Sequence, residues 1–198
     1  MSQILKGSEV RQANYPIDSL FIDRWSPRAM TGEAMTQAEL RVLFEAARWA
    51  PSSYNEQPWR ILHARRDTEQ WQTFFDLLVE GNQRWAAKAG ALMLFISKKT
   101  STRNGKPSIT HSFDTGAAWE NMALQGFLKG YVVHGMQGFD YERAKTALNI
   151  PDDFRVEAMV AAGKPQDRSE MPEEVRERET PNSRRSIEDT VCEGAFCF

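Results

Sequence analysis

The spacing of hydrophobic residues along this chain predicts helices interleaved with strands. A capping-box sequence, Thr36-Gln37-Ala38-Glu39, opens a run whose apolar residues recur at helical spacing until Pro51: Leu40, Leu43, Phe44 and Ala47. Residues 91–97 (ALMLFIS) are apolar on both faces, which is typical of a buried central strand. The same criteria predict helices at 71–81, 113–129 and 141–148, strands at 59–64, 131–134 and 156–162, and a turn at 135–138.

The arrangement of these elements favours one layered α+β domain. Helices and strands alternate at uneven spacing, and no glycine-rich turn joins a strand to a helix, so a doubly wound nucleotide fold is not indicated. The helix at 113–129 is apolar around most of its circumference, which points to a core surrounded by sheet or to a subunit interface. We favour the interface. We expect an N-terminal arm at 1–16, the domain at 17–165, and an extension at 166–198 with a last short strand or helix at 186–191. Residues 166–180 are mostly charged and polar, so we expect them to cross the surface as a tail.

Composition and charge narrow the classes of function. Of 198 residues, 41 % are hydrophobic and 26 % charged, and the net charge is −2. The lack of a basic excess argues against nucleic-acid binding, and no apolar run reaches the roughly 20 residues that a membrane span needs. No export signal is recognisable at the N-terminus, and Cys192 and Cys197 are expected to be terminal bystanders in a reducing compartment, so a cytoplasmic protein is expected.

The motifs that usually carry catalysis are absent from the sequence. There is no GxGxxG turn, no GxxxxGK[ST] phosphate loop, no nucleophile elbow, and no His or Cys spacing typical of a metal site. If the protein is an enzyme, a bound cofactor is therefore expected to supply the reactivity.

Four polar clusters remain as candidate binding segments. Arg24-Trp25-Ser26-Pro27-Arg28 places two guanidinium groups and a hydroxyl on a proline-stiffened turn, which suits an anion; the alternative is a solvated turn paired with Asp23 or Glu33. The loop from Pro51 to Trp59 (PSSYNEQPW) offers amide donors and acceptors for a flat heterocycle, unless it only connects a helix to a strand. The other two clusters are a glycine-rich turn at 135–140 and a basic stretch at 182–185, each of which also has an ordinary structural explanation.

At these residues the sequence resembles the nitroreductase family of flavin mononucleotide (FMN) enzymes over about residues 17–190. Arg24, Ser26 and Arg28 match the family's opening Arg-x-Ser-x-Arg/Lys motif. Residues 50–59 match its Ala-Pro-Ser-Ser-x-Asn-x-Gln-Pro-Trp motif without a gap. Further matches are Asn82, the turn Gln137-Gly138-Phe139-Asp140, and Arg184-Arg185-Ser186, where a proline is usual at the last position.

The resemblance implies a nitroreductase-like fold: a mainly antiparallel sheet flanked by helices, in an intertwined homodimer whose C-terminal extension at 166–198 reaches the partner subunit. It also implies a role for each matching residue. The phosphate and ribityl end of FMN would be held by Arg24, Ser26, Arg28 and Arg184, with backbone contact from Trp25. The loop residues Pro51, Ser52, Ser53, Asn55 and Gln57 belong to the cofactor site, and Ser52, Ser53 and Asn55 would reach the flavin of the partner subunit. Asn82 would bind the pyrimidine side, and Met136, Gln137 and Gly138 would pack near the ring and its N5.

The activity that the resemblance implies is ping-pong hydride transfer through flavin N5. NADH or NADPH would reduce the flavin, which then reduces a nitroaromatic, a quinone or a similar electron-poor acceptor, with no protein side chain as acid or base. Three arginines exceed the charge of one phosphate dianion, so we expect Arg28 to pair with an acid. A flavin-dependent dehalogenase or dehydrogenase and a non-catalytic flavin-binding dimer remain as alternatives.

Overall fold

A four-stranded antiparallel sheet forms the centre of the structure, a computed structural model that describes residues 4–198. The strands are β1 (Trp59–Arg65), β2 (Ala91–Lys98), β3 (Val132–Met136) and β4 (Phe154–Gly163). They lie in the order β1-β2-β4-β3, and every neighbouring pair is antiparallel. The predicted α+β class with a mainly antiparallel sheet is therefore confirmed.

Helices cover both faces of this sheet and separate two apolar clusters. On one face lie α2 (Gln37–Arg48) and α5 (His111–Leu128); on the other lie α3 (Trp71–Phe75), α4 (Glu80–Ala86) and α6 (Tyr141–Ala147). The buried strand β2 serves both faces, because Leu92, Leu94 and Ile96 enter the second cluster while Ala91, Met93 and Phe95 enter the first. The two-sided apolar pattern of 91–97 thus has the expected cause.

Helix α2 begins at the capping box that the sequence predicts. The hydroxyl oxygen of Thr36 accepts a hydrogen bond from the backbone N–H of Glu39 at 3.2 Å, and the Glu39 carboxylate accepts one from the backbone N–H of Thr36 at 2.6 Å. Two helix-end donors are satisfied in this way.

Removing this cap is expected to cost stability without changing the fold. Thr36→Ala should lower the free energy of unfolding by about 1 kcal/mol, which is about 2–4 °C in the melting temperature of a chain of this size. Thr36→Ser, which keeps the hydroxyl, is the matched control. Thermal melts followed by far-UV circular dichroism measure the difference, and equal melting of wild type and Thr36→Ala would show that the cap contributes nothing.

The predicted helix at 71–81 is wrong, because the structure contains two short helices there. Helix α3 ends at Phe75, and the next residues enter the core, where Leu78 forms a β-bridge with Phe139. This pairing pulls the backbone out of helical geometry before Val79 caps α4. Gly81, which we expected to end a helix, lies inside α4.

Two predictions at the glycine-rich turn and the tail also need correction. Strand β3 continues through Gly135 and Met136 because both pair with β4, so the turn is shorter than 135–138. The polar stretch at 166–180 contains helix α7 (Glu173–Arg178), which ends at the buried residue Glu179. Most of this stretch is exposed, as expected of a tail that crosses the surface, but the prediction contained no helix there, and Glu179 ties the stretch to the backbone of Arg28 and Ala29.

The end of the chain differs from the sequence prediction as well. Residues 186–191 form turns, with the N–H groups of Thr190 and Val191 bonded to the carbonyl of Ile187, and not a strand or helix. Cys192 and Cys197 form a disulfide and are not the bystanders we expected. Spacing alone did not reveal this pair, since only the turn at 193–195 brings the two residues together.

Large apolar side chains remain exposed next to and along α2 and α5. They are Trp49, Tyr54, Ile109, Phe113 and Leu128, with exposed fractions of 71, 80, 97, 81 and 62 %. We call them the apolar face. Such a concentration of exposed apolar surface is typical of a site of protein association.

Candidate cofactor site

An arginine-rich cavity of about 370 Å³ lies where both ends of the chain meet β3. We call it the arginine cavity. Five of the predicted site residues line it: Arg24, Trp25, Ser26, Arg28 and Arg184. Its other lining residues are Arg11, His134, Arg178, Glu179, Thr180 and Asn182. Five arginines and one glutamate make this a strongly positive site, which suits an anion such as a phosphate group.

The segment carrying Arg24 and Ser26 is set by the end of helix α1 (Ser19–Asp23). Asp23 is buried and accepts a hydrogen bond from the backbone N–H of Ser8 at 3.1 Å; hydrogen bonding by Ser8 lowers the pKa of Asp23. The chain is extended at Arg24, whose Nη1 lies 3.3 Å from Ser26 Oγ. Glu120 lies 3.6 Å from Arg24 Nε. The arginine and serine of the predicted anion motif therefore act as neighbours in space.

Arg28 does not form the ion pair that we expected of it. The acid beside it, Glu179, accepts hydrogen bonds from the backbone N–H of Arg28 at 2.9 and 3.1 Å and of Ala29 at 3.3 Å, while the Arg28 guanidinium lies over the Trp85 ring, 5.9 Å from its centroid. Across residues 4–198, no carboxylate lies within 4.0 Å of the guanidinium of Arg28 or Arg178. Both charges are thus available to a ligand.

Arg11, a residue that the sequence analysis missed, ties together the two ends of the chain beside the cavity. Its guanidinium donates to the carbonyl oxygens of Ile22 (3.0 and 2.5 Å), Arg24 (2.8 Å) and Asn182 (2.7 Å). The pKa of Arg11 is lowered mainly by burial and further by the charges of Arg184 and Arg24. Arg11 therefore fixes the backbone on which Arg24 and Arg184 stand. No motif or periodicity in the N-terminal arm marks it.

His134 on β3 presents a neutral imidazole to the same cavity. Its Nδ1 lies 2.9 Å from the carbonyl oxygen of Pro27, so this nitrogen carries the proton and donates. Burial lowers the pKa of His134, the bond to Pro27 opposes that shift, and the charges of Arg28 and Arg24 add to it. The ring also packs on Trp85, with centroids 4.5 Å apart.

This lowered pKa predicts a loss of stability in acid. The ordinary pKa of histidine is about 6.5. Below that pH, His134 of the unfolded chain binds a proton, whereas His134 of the folded protein binds one only at lower pH. The free energy of unfolding should therefore fall as the pH is lowered from 7.5 to 5.5. Urea unfolding of wild type and His134→Gln at both pH values measures this effect. The variant should show the smaller change, and an identical change in both proteins would contradict the assignment. His63→Gln serves as a positive control: burial also lowers the pKa of His63, so this variant should likewise show a smaller change than wild type.

The predicted loop from Pro51 to Gln57 lies outside the arginine cavity. Its backbone is unusual, since Tyr54, Asn55 and Gln57 have φ angles of 51, 56 and 49°. Hydrogen bonds from Gln57 N to Ser52 Oγ (3.0 Å) and from Ser53 N to the buried Asp114 (3.2 Å) hold this conformation. A left-handed backbone at several non-glycine residues is typical of a functional segment. The loop points its exposed residues, including Pro51 and Asn55, away from the core.

Asn82 and the turn that follows β3 form a third cluster of predicted site residues. Asn82 Nδ2 donates to the carbonyl of Gly138 at 3.0 Å, and its Oδ1 accepts from Trp85 Nε1 at 3.2 Å. A Cβ at position 138 would stand 2.6 Å from Asn82 Nδ2, so a larger residue there would displace this amide. Met136 is buried and Gln137 is exposed. One amide hydrogen of Asn82 remains free for a ligand.

A buried indole N–H beside this region has no hydrogen-bond partner. It is Nε1 of Trp119 on α5, the one such side-chain atom found in residues 4–198. Gly135 lets the indole approach β3, because a Cβ there would stand 3.2–3.3 Å from its ring atoms. The guanidinium of Arg24 lies 5.9 Å from the centre of the same ring. An unpaired buried donor is costly, so this atom also indicates a missing acceptor.

Metal and membrane features are absent from residues 4–198. No group of three or more His, Cys, Asp or Glu side chains there could hold a metal ion. No helix in the same part of the chain is long and apolar enough to cross a membrane.

Comparisons with known proteins give a consistent result. The sequence model described as the Nitroreductase family matches residues 22–92. A crystal structure described as an oxidoreductase containing FMN is 48 % identical, with a TM-score of 0.87 over 94 % of this chain and 96 % of that one. A putative nitroreductase in complex with FMN from Desulfovibrio desulfuricans shares the fold at 24 % identity, with a TM-score of 0.71 over 93 % of this chain and 100 % of that one. Protein DrgA from Synechocystis sp. is 28 % identical over 77 % of this chain and 80 % of its own length.

Proposed function

Because this chain belongs to the nitroreductase family, we propose that it is a homodimeric FMN-dependent oxidoreductase. It takes reducing equivalents from NADH or NADPH and reduces nitroaromatics, quinones or similar electron-poor acceptors. The observation that carries the proposal is the arginine cavity, in which Arg24 alone of the five lining arginines has a carboxylate of residues 4–198 within 4.0 Å. FMN ends in a phosphate dianion, which is the ligand that such a cavity favours.

The residues of this chain fit FMN at each part of the cofactor. Arg24, Ser26, Arg28 and Arg184 line the arginine cavity together and would hold the phosphate end. The free amide hydrogen of Asn82 and the unpaired indole N–H of Trp119 are donors suited to the carbonyl and nitrogen acceptors of a flavin ring. When bound, FMN supplies the redox chemistry, since its N5 accepts a hydride from NAD(P)H and returns it to an acceptor.

The position of the loop from Pro51 to Gln57 supports a dimer. It does not line the arginine cavity of its own chain, and it borders the apolar face through Tyr54. If two chains associate through the apolar face, Ser52, Ser53 and Asn55 can complete the flavin site of the partner subunit. The chain's own role is then to bind the ring in a dry interface and to orient the two reactants in turn.

Steady-state kinetics test this function. Flavin-loaded protein should oxidise NADH or NADPH with a quinone or a nitroaromatic acceptor, and parallel double-reciprocal plots should reveal alternate binding at one site. A flavin-binding protein that gives no turnover with either acceptor would instead support a dehalogenase, a dehydrogenase or a non-catalytic dimer.

A further inference from the structure

A second cavity, of about 490 Å³, lies between the loop that starts at Pro51 and the segment that leads from β2 into α5. We call it the loop cavity. Its walls include Tyr54, Arg103, Asn104, Lys106, Ser108 and Thr110. Because Ser53 and Tyr54 belong to both the loop cavity and the predicted cofactor loop, a ligand in this cavity would lie beside the flavin site that the loop completes.

Hydrogen bonds fix the two walls to each other. The Glu56 carboxylate accepts from the hydroxyl of Ser101, and from the backbone N–H and the hydroxyl of Thr102 at 2.9 and 2.6 Å. These bonds, the one from Ser101 above all, lower the pKa of Glu56 to about 2. The turn itself is closed by the bond from Ser101 N to the carbonyl of Lys106 at 2.8 Å. These hydrogen bonds hold the two walls of the cavity in place. The carboxylate of Glu56 is already paired with hydroxyl and amide donors.

Two cations on this turn have no acid partner. In the described part of the chain, no carboxylate lies within 4.0 Å of the charged group of Arg103 or Lys106. The Arg103 guanidinium stacks on Tyr54, 4.5 Å from the ring centroid, which orients it at the cavity wall. The hydroxyl of Ser108 and the amide of Asn104 add neutral hydrogen-bonding groups. This combination favours a phosphate group over a neutral ligand.

We propose that the loop cavity binds the 2′-phosphate of NADPH and so makes NADPH the preferred electron donor over NADH. The inference rests on the proposed function, because the donor must lie on the flavin that the neighbouring loop reaches. The 2′-phosphate is the one group by which NADPH differs from NADH. Quinones and simple nitroaromatics carry no such dianion, so the cavity is assigned to the donor and not to the acceptor.

The experiment compares kcat/KM for NADPH and NADH, with one quinone acceptor, in flavin-loaded wild type, Arg103→Gln, Lys106→Gln and the double variant. Wild type should favour NADPH at least tenfold. Each single variant should lower kcat/KM for NADPH about fivefold and leave the value for NADH within about twofold, since each removes one exposed charge-assisted contact. Lys88→Gln, which removes an exposed charge on the opposite side of the sheet, should change neither value.

Calorimetry of ligand binding gives a readout independent of turnover. Adenosine 2′,5′-bisphosphate should bind flavin-loaded wild type more tightly than 5′-AMP, and the double variant should lose this difference. If NADPH and NADH are used equally, or if the variants affect both donors alike, the assignment of the cavity is wrong while the proposed function stands. If the protein binds no FMN, or neither nucleotide reduces it, the proposed function itself fails and the assignment falls with it.

Discussion

Arg28→Ala is expected to weaken FMN binding about 100-fold and to leave the affinity for riboflavin within about threefold. The guanidinium of Arg28 faces the arginine cavity without an acid partner, so it can make two charge-assisted hydrogen bonds to a phosphate. At roughly 1.5 kcal/mol each, two such bonds correspond to slightly more than a 100-fold change in affinity. Riboflavin lacks the phosphate and therefore tests the ring site alone.

Quenching of flavin fluorescence on titration measures both affinities. Arg28→Lys is the matched control: it keeps the charge but loses the forked geometry, so an intermediate loss of about tenfold is expected. The substitution should not disturb the fold, because the side chain contacts Trp85 and makes no salt bridge. An equal loss of FMN and riboflavin would indicate damage to the ring site, and no loss of either would place the phosphate elsewhere.

Phe113→Asp is expected to convert the proposed dimer into single chains and to release the flavin that the dimer is proposed to bind. Phe113 is 81 % exposed on α5, in the apolar face. A carboxylate buried there without a partner would cost several kcal/mol in each of two symmetric copies, enough to dissociate an interface of ordinary size at micromolar concentration. The flavin is lost as well because Ser52, Ser53 and Asn55 are proposed to act across the interface.

Light scattering coupled to gel filtration measures the mass, and absorbance at 450 nm measures the retained flavin. Lys88→Glu, which places a new carboxylate on an exposed residue after α4, should stay dimeric and yellow. A wild-type chain that is itself monomeric, or a Phe113→Asp protein that remains a flavin-bound dimer, would rule out the apolar face as the interface.

The elements that were predicted best from the sequence are those specified by local sequence signals. The capping box of α2 and the two-sided apolar pattern of β2 are local signals, and both are confirmed. The division of 71–81 into two helices was not predictable from periodicity, because it depends on a bridge between Leu78 and Phe139, which lie far apart in sequence. Tertiary pairing here overrides helical spacing.

The residues of the candidate site were likewise predictable only where the signal is local. The anion motif at Arg24, Ser26 and Arg28 lies within five residues, so its spacing indicated a shared ligand, and all three line one cavity. Arg11 and Arg178 reach that cavity from opposite ends of the chain, and their position depends on the tertiary fold. Arg178 lies in a charged stretch that composition alone assigns to a solvated tail.

Each chain is proposed to hold one FMN by its phosphate in the arginine cavity and to present it to a nicotinamide donor. The most direct measurement is anaerobic spectroscopy of the purified protein loaded with FMN and freed of excess. We expect one flavin per chain, absorbing near 450 nm, and bleaching of that band when NADPH or NADH is added. A colourless protein after loading, or a bound flavin whose spectrum neither nucleotide changes, would contradict it.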